Sequence, residues 1–249
     1  MSPVMRSRWR TFARWPELGE NEIHIWKADL NRIRRRCGDL ERTLPLSERK
    51  QARQHTNALD HDCHILACAL RRSILSRYLR AKPHELKFTY NKNGKPQLSG
   101  GELRFNVSHS SGLMVCGVSR RFDVGVDVER IRAGVEEEIA GWFLSLRALR
   151  FLEKLPKPRR AQTFFRGWTR MEACGKALGL AFPENVHNFE TLFENANAFP
   201  GSNASPIDHF SCQVQDFEPR KGYAAAIATR GGEGKITYCN WPTRCADDT

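Results

Sequence analysis

The sequence predicts an α+β protein in which short strands and amphipathic helices follow one another in mixed order. Two observations carry this prediction. Strand-like segments form two sets of comparable size, and long segments with a helical apolar stripe separate them. No internal repeat can be recognised from residue identity. We therefore expect a mixed fold whose two parts join near residues 120–123.

Composition is typical of a globular protein. The chain has 249 residues, of which 40% are hydrophobic and 10% aromatic, and this excludes a disordered chain. No apolar run approaches the roughly 20 residues that a membrane span requires, so no membrane association is expected. Residues 1–20 are Arg-rich without the apolar core of a secretory signal, which predicts a basic N-terminal extension. The eight cysteines are scattered without C-x-x-C spacing, which favours a reducing cytoplasm.

The charge balance predicts an acidic partner. Lysine and arginine number 40 against 28 acidic residues, a formal net charge of +12. Nucleic acid is the generic candidate, but no zinc finger, RNP-type aromatic motif or recognition helix is evident. An acidic protein or a polyphosphate-bearing ligand is equally compatible with the charge. The consecutive Arg34, Arg35 and Arg36 form either a solvated helix or loop, or a docking patch.

The first part of the chain, residues 21–120, begins with alternating residues at 22–30 that predict a strand. Ser47 is expected to cap a helix, and Asp60 or Asp62 a longer one whose apolar stripe belongs to the core. Pro83 ends that helix. A strand at 86–90 and a glycine-containing turn at 91–96 follow.

Residues 105–129 are the most informative stretch. Apolar runs predict strands at 105–107, 113–118 and 124–128, and Ser108, His109 and Ser110 interrupt the first of them. Because the third strand alternates strictly, Asp127 and Glu129 share the face opposite its valines.

Two carboxylates on one strand face repel each other unless a positive group lies between them. Mg²⁺ is suited to this place because it prefers oxygen ligands and needs only one or two carboxylates besides phosphate. The alternative is an edge strand with a solvated acidic face. The adjacent Ser108-His109-Ser110 favours a phosphate site, because hydroxyls, imidazole and free N–H groups suit phosphate oxygens.

The second part, residues 121–249, contains helical patterns around 135–143 and 145–152, and then a helix at about 161–178. On that helix Glu172 and Lys176 lie four residues apart on one face. They form either an intrahelical ion pair or a third metal-binding carboxylate with a cation for phosphate. Residues 190–206 are typical of a loop. Strands are predicted at 211–217, 223–229 and 235–239, before a frayed tail.

Three motifs then occur in a characteristic order: F-N-V-S-H-S at 105–110, V-G-V-D-V-E at 124–129 and F-F-R-G-W-T-R-M-E-A-C-G-K-A-L-G at 164–179. Together they resemble the surfactin-type 4'-phosphopantetheinyl transferases, and the element order is similar over residues 22–230. The resemblance implies two similar α/β halves in a pseudo-twofold arrangement, with coenzyme A in the cleft between them and a monomeric state.

The resemblance also implies an activity: transfer of the phosphopantetheine arm of coenzyme A to a serine of an apo acyl or peptidyl carrier protein, releasing adenosine 3',5'-bisphosphate. The pathway would be fatty acid, polyketide or nonribosomal peptide synthesis. Carrier domains are generally acidic, which agrees with the basic surface. Mg²⁺, or Mn²⁺ in its place, would be held by Asp127, Glu129 and Glu172, and Glu172 would also help to deprotonate the serine.

The remaining site residues are assigned by the same resemblance. Lys176 and His109 would hold phosphate oxygens, Lys95 and Pro96 would border the adenine, and Arg49 with Ser108 would approach the 3'-phosphate. Three positions depart from the family pattern. Met171 stands where the family has a lysine, Cys63 lies near the place of its usual arginine, and Ala181 replaces its second glycine. These departures bear on coenzyme A affinity more than on the reaction. Two alternatives stay open: another Mg²⁺-dependent phosphotransferase or hydrolase, and a non-catalytic nucleic-acid-binding protein.

Overall fold

The computed structural model describes residues 7–54, 57–180 and 212–242. The loop expected at 190–206, Ala181 and the expected tail lie outside the described residues. The strands are β1 (Glu22–Asp29), β2 (Phe88–Tyr90), β3 (Pro96–Leu98), β4 (Arg104–Ser110), β5 (Leu113–Ser119), β6 (Asp123–Arg130), β7 (Cys212–Phe217), β8 (Tyr223–Arg230) and β9 (Lys235–Asn240). The helices are α1 (Leu30–Ile33), α2 (Cys37–Thr43), α3 (Leu46–Ala52), α4 (Ala58–Leu79), α5 (Val135–Phe143), α6 (Leu146–Glu153) and α7 (Lys157–Leu178).

Two sheets form the centre of the molecule. The first has the order β4-β5-β1-β9, with β9 parallel to β1 and the other pairs antiparallel. The second is antiparallel with the order β6-β8-β7, and β2 and β3 form a separate hairpin. The α+β class predicted from the sequence is therefore confirmed.

Apolar side chains arrange these elements in layers. The inner faces of the two sheets pack on each other through residues such as Ile25, Val126 and Ile227. Helix α4 covers the outer face of the first sheet, and α7 covers the outer face of the second through Phe164 and Ala173. Burial of these faces is the main stabilising term, because strands and helices of this length are not stable alone in water.

The two halves have the same topology. In the first, β4-β5-β1 is covered by α4, and in the second, β7-β8-β6 is covered by α7. Both helices have 22 residues and both end at a residue in the left-handed conformation, Arg80 or Gly179. The expected two similar halves are therefore present. One strand departs from the expected division at residue 120, since β9 returns to the first sheet beside β1.

Several element boundaries differ from the sequence-based expectations. Ser47 lies inside α3, which follows Pro45 without a side-chain cap. Asn57, not Asp60 or Asp62, caps α4, because its side chain accepts a hydrogen bond from the amide of Leu59.

Strand β4 continues through Ser110 instead of stopping at Val107, because its polar side chains find partners on β6. Helix α7 begins at Lys157 rather than near residue 161. Pro158 is tolerated there because the first helical turn needs no amide donors.

Residues 7–20, expected to be an extension, pack against the fold. Trp15 stacks on Trp26 with ring centroids 4.0 Å apart, and Leu18 is buried. Arg10 pairs with Cys239 of β9. Aromatic contact area explains why this basic segment is held to the first sheet. None of the described helices combines the length and the apolar character needed to cross a membrane.

Candidate active site

Strand β6 divides its side chains between two environments. Val124, Val126 and Val128 are fully buried between the sheets, as the alternation predicts. Asp127 and Glu129 occupy the other face, toward α7, and Asp127 is only 2% exposed. A buried carboxylate is costly unless it is paired, so its surroundings decide what it can do.

Gly125 sets the distance between β6 and α7. A Cβ atom on this residue would lie 2.0 Å from the carbonyl oxygen of Ala173 and 2.3 Å from the amide nitrogen of Ala177. The helix backbone therefore rests directly on the strand, which only glycine permits. Glu172 and Lys176 directly precede these two contact points, and they are thereby brought beside Asp127.

Lys176 is the cation of the cluster. Its Nζ donates a hydrogen bond to Oδ1 of Asp127 at 2.7 Å, and lies 3.8 Å from Oε2 of Glu172. It also donates to Oγ of Ser108 at 3.4 Å, so the intrahelical ion pair considered from the sequence is longer than either of these contacts. Lys176 joins the helix to the strand.

Alternate polar side chains of β4 complete the site. Asn106 accepts a hydrogen bond from the amide of Val126 at 2.9 Å. Ser108 donates to Oδ1 of Asp127 at 2.8 Å, and Ser110 donates to Oε2 of Glu129 at 2.7 Å. Sequence reasoning assigned no role of this kind to Asn106 or Ser110. The signal was the N-x-S-x-S alternation, which places all three on one face of β4.

His109 lies between the two serines and is exposed. The alternation that directs Ser108 and Ser110 toward the carboxylates directs His109 to the opposite face of β4. Its phosphate contact stays a prediction.

Three carboxylates and one lysine leave the cluster with excess negative charge. Burial raises the pKa of Glu172 to about 7, and repulsion from Asp127 and Glu129 adds to this while Lys176 opposes it. Burial and the neighbouring Asp127 also raise the pKa of Glu129. Burial disfavours the charged form of Lys176, but the carboxylates outweigh it and raise its pKa. A carboxylate that titrates near neutrality is suited to accept a proton.

The cluster is partly suited to a metal ion. Oδ2 of Asp127 is buried and has no hydrogen-bond partner among the described residues. This carboxylate oxygen is therefore available as a ligand for a metal ion. Across residues 7–54, 57–180 and 212–242, however, no three His, Cys, Asp or Glu side chains are arranged to hold a metal together. The donor chemistry therefore fits Mg²⁺ bound by few carboxylates with phosphate completing the shell, not a preformed three-carboxylate cage.

The residues expected to hold coenzyme A lie in two places. Lys95 and Pro96 line a cleft of about 20 Å³ between the hairpin and β6. That volume is close to that of one water molecule, so an adenine would need the cleft to widen. The ammonium of Lys95 is directed at backbone, donating to the carbonyls of Val124 at 3.2 Å and Ala177 at 3.5 Å. Arg49 lies on α3, where its Nε donates to the carbonyl of Leu44 at 2.9 Å.

Two of the departures from the family pattern are buried. Met171 is fully buried on α7 in the core of the second half, and Cys63 is buried on α4 in the core of the first. Both side chains contribute to packing. A lysine at position 171 would place a charge in that core, which is a structural change as well as a chemical one.

The family model for the 4'-phosphopantetheinyl transferase superfamily matches residues 123–228. The chain is 33% identical over 164 residues to the 4'-phosphopantetheinyl transferase HetI of Nostoc sp., covering 64% of this chain and 69% of that protein. It is 24% identical over 181 residues to the 4'-phosphopantetheinyl transferase Sfp of Bacillus subtilis, covering 72% and 79%. The 4'-phosphopantetheinyl transferase AcpT of Salmonella typhi is 36% identical over 110 residues, 43% of this chain and 56% of that protein.

The matched residues 123–228 begin with β6 and include α7, and so contain Asp127, Glu129, Glu172 and Lys176. The likeness to HetI extends over more than two thirds of that protein. The mixed α+β fold is consistent with this superfamily. The chain therefore belongs to the 4'-phosphopantetheinyl transferase superfamily.

Proposed function

We propose that this protein transfers the 4'-phosphopantetheine arm of coenzyme A to a serine of an apo acyl or peptidyl carrier protein. The observation that carries the proposal is Glu172, a carboxylate with a pKa near 7 that lies against Asp127, Glu129 and Lys176 within the region matched by the superfamily. No feature of the described residues favours a second function.

In the proposed reaction, the serine oxygen forms a bond to the phosphorus that bears the pantetheine arm. The bond from that phosphorus to the bridging oxygen breaks, and adenosine 3',5'-bisphosphate leaves with the bonding electrons. Glu172 accepts the serine proton, since its half-buried carboxylate lies beside the cluster and has a pKa raised to about 7. Reactions of this class depend on positioning and charge neutralisation more than on covalent help from the protein.

Mg²⁺, or Mn²⁺ in its place, would be held by Asp127 through its unpaired Oδ2, with Glu129 and Glu172 nearby. The ion would neutralise the charge of the pyrophosphate oxygens when bound. Lys176 and Ser108 hold the other oxygen of Asp127 and so fix the direction of Oδ2. Ser110 holds Glu129 in the same manner.

The proposed partner is an acidic carrier protein, and the formal net charge of +12 supports this. In the basic patch at Arg34–Arg36, Arg34 already pairs with Asp62 at 2.7 Å, whereas Arg35 is exposed. The cysteines of the described residues are all unpaired, which supports a reducing compartment such as the cytoplasm. A monomer is proposed on the family resemblance.

The test is the intact mass of purified apo-carrier proteins after incubation with this protein, coenzyme A and Mg²⁺. We expect a gain equal to the phosphopantetheine arm, absent when EDTA replaces Mg²⁺ and absent on a carrier whose acceptor serine is replaced by alanine. Release of adenosine 3',5'-bisphosphate without carrier would instead indicate a hydrolase. No mass gain on a panel of acyl and peptidyl carriers would contradict the proposal.

A further inference from the structure

At the C-terminal end of helix α7, only some of the carbonyl groups accept hydrogen bonds from amides of the same segment. The amide of Leu180 donates to the carbonyl of Gly175 at 2.9 Å, and the amide of Gly179 donates to that of Lys176 at 3.3 Å. This is the usual pattern of a helix that ends on a left-handed glycine. The carbonyls of Ala177 and Gly179 remain to be paired, and an unpaired carbonyl at a helix end is unfavourable when it is buried.

The partners of these carbonyls come from the other half of the molecule, from the loop 91–95 between β2 and β3. The side-chain amides of Asn91 and Asn93 both donate to the carbonyl of Gly179, at 3.0 and 2.8 Å. The ammonium of Lys95 donates to the carbonyl of Ala177 at 3.5 Å. Amide donors and a cation are favourable here, because the C-terminal end of a helix is negative.

Asn91 has two roles in this contact. Its Oδ1 accepts hydrogen bonds from the amides of Asn93 at 3.0 Å and Lys95 at 2.8 Å, and so folds the loop. Its Nδ2 contacts α7. Gly179 is matched to it, since a Cβ atom there would lie 2.8 Å from Nδ2 of Asn91 and the residue has φ +69.

The same loop also holds β6. Lys95 donates to the carbonyl of Val124 at 3.2 Å, three residues before Asp127 on the strand. Lys176 and Glu172 lie within about the last two turns of α7 before Gly179. The loop therefore contacts both elements that carry the carboxylate cluster, close to the residues that form it.

We propose that loop 91–95 is a clamp between the halves that fixes α7 against β6, and that Asn91 is a positioning residue for Glu172 and Lys176 in the transfer reaction. The catalytic part of this inference rests on the proposed function. The clamp itself rests on the contacts of the loop with α7 and β6.

The discriminating variant is Asn91→Asp. Aspartate keeps the acceptor oxygen that folds the loop, loses the donor to Gly179 and places a negative charge at the negative end of α7. We expect amide hydrogen exchange at Gly179 and Leu180 to become at least about tenfold faster, because their pairing then opens locally. The control is Lys92→Ala, which changes an exposed side chain of the same loop and should leave exchange unchanged. Unchanged exchange in Asn91→Asp would overturn the clamp.

Kinetics then separate positioning from a merely structural role. Below the melting temperature of the variant, we expect kcat of Asn91→Asp to fall about ten- to a hundredfold, because small displacements of reacting groups are costly. In a double-mutant cycle, Asn91→Asp should lower kcat much less in the Glu172→Gln background, because the residue that Asn91 positions has already lost its function there. An equal loss in both backgrounds would overturn the positioning role.

A second variant keeps the inference testable in case the first one does not fold. If Asn91→Asp does not fold, Asn93→Ala removes one amide donor to Gly179 without adding charge, and it should move exchange and kcat in the same directions by smaller factors. No movement of either would overturn the inference. If the unchanged protein modified no carrier, the proposed function would fail, while the exchange measurements would still decide whether the clamp exists.

Discussion

Glu172 is held between opposing influences. Burial, together with Asp127 and Glu129, raises its pKa to about 7, while Lys176 at 3.8 Å stabilises its charged form. As an exposed ion-pair partner it would be worth only about 0.3–0.5 kcal/mol. As a proton acceptor beside the reacting atoms it would contribute far more. For Glu172→Gln we therefore expect kcat for carrier modification to fall at least about a hundredfold.

The matched control for this variant is Gln162→Glu, which exchanges the same two residue types at an exposed position of α7. It should leave kcat within about twofold of the original value, since surface substitutions away from a site have small effects. A change of Met171 to Lys, which the family pattern suggests as a control, is unsuitable because Met171 is fully buried. If Glu172→Gln kept more than half of the original kcat, α7 would not carry the chemistry.

The raised pKa of Glu172 also predicts how stability depends on pH in metal-free protein. The carboxyl titrates at about 7 when folded and near 4.5 when unfolded, so the folded state binds the proton more tightly. The contribution of this protonated carboxyl to the unfolding free energy is fully present below pH 4.5 and is lost as pH rises through 7. We expect Glu172→Gln to weaken this pH dependence. At pH 8 in EDTA the variant should have a higher melting temperature than the original protein, and an unfolding free energy larger by an amount on the order of 2 kcal/mol.

Asp127 and Glu129 face position 172 from β6, and Lys176 faces it from the same helix, and all three groups are present in both proteins. Thermal melting between pH 5 and 8 makes the comparison. A Glu172→Gln protein that kept the full pH dependence would show that the titrating group is elsewhere.

At the level of elements, the contact of α7 with β6 depends on Gly125. For Gly125→Ala we expect a loss of roughly 1–3 kcal/mol or more in unfolding free energy, because the added methyl group would meet the backbone of Ala173 and Ala177, which cannot rotate away. Carrier modification should fall as well, since Lys176 would be displaced from Asp127. Denaturant unfolding measures the stability.

Gly141→Ala is the matched control, because Gly141 lies in α5 with open space around the position of its Cβ. In a helix this change should stabilise the protein by about 0.5–1 kcal/mol. A Gly125→Ala protein as stable as the original would mean that strand and helix are not in close contact.

The elements show where sequence reasoning succeeds and where it stops. Alternation was sufficient for β6, because one of its faces is fully apolar and a shift by one residue would bury its carboxylates between the sheets. It failed at the end of β4, where Ser108 and Ser110 have the composition of a loop but are held in the strand by Asp127 and Glu129. Local propensity contains no information on partners that lie about 20 positions away in the chain.

At the scale of the whole molecule, the charge of the protein predicts a salt dependence. If the basic surface docks an acidic carrier, KM for carrier should rise steeply between low salt and 0.5 M salt, because exposed charges are screened over about 10 Å at 0.1 M. Arg35→Glu should raise KM further, since this exposed arginine would take part in docking. Steady-state kinetics with one carrier measure both effects.

Arg14→Glu is the control for that prediction. It makes the same change in charge at an exposed position outside the Arg34–Arg36 patch. An equal rise in KM for both variants would assign the effect to net charge alone. No rise for Arg35→Glu would exclude the patch and leave the site at Glu172 unaffected.

The repeat of the two halves was not visible in the sequence, and the structure explains why. When β1 and β6 are aligned on their inward-facing residues Ile25 and Val126, the next residue is Trp26 in β1 and Asp127 in β6. Trp26 is covered by Trp15 and Trp241, so that in the first half this place is packed with aromatic side chains. The halves share an inside-outside pattern, not residue types, and within the described residues the carboxylate cluster lies at this place in the second half. Each motif indicated one pair of residues, Asp127 with Glu129 on the strand and Glu172 with Lys176 on the helix, because the members of a pair lie close together in sequence; their roles stay predictions.

The position of β9 beside β1 affects how the protein can fold while it is being synthesised. The first sheet lacks one strand until residue 240 has left the ribosome, although β1, β4 and β5 are complete more than a hundred residues earlier. Throughout that interval the outer edge of β1 presents unpaired amide and carbonyl groups, which can pair with a strand of another nascent chain. The yield of native protein in the cell therefore depends on how long that edge stays unpaired, and slower translation of the second half should increase aggregation.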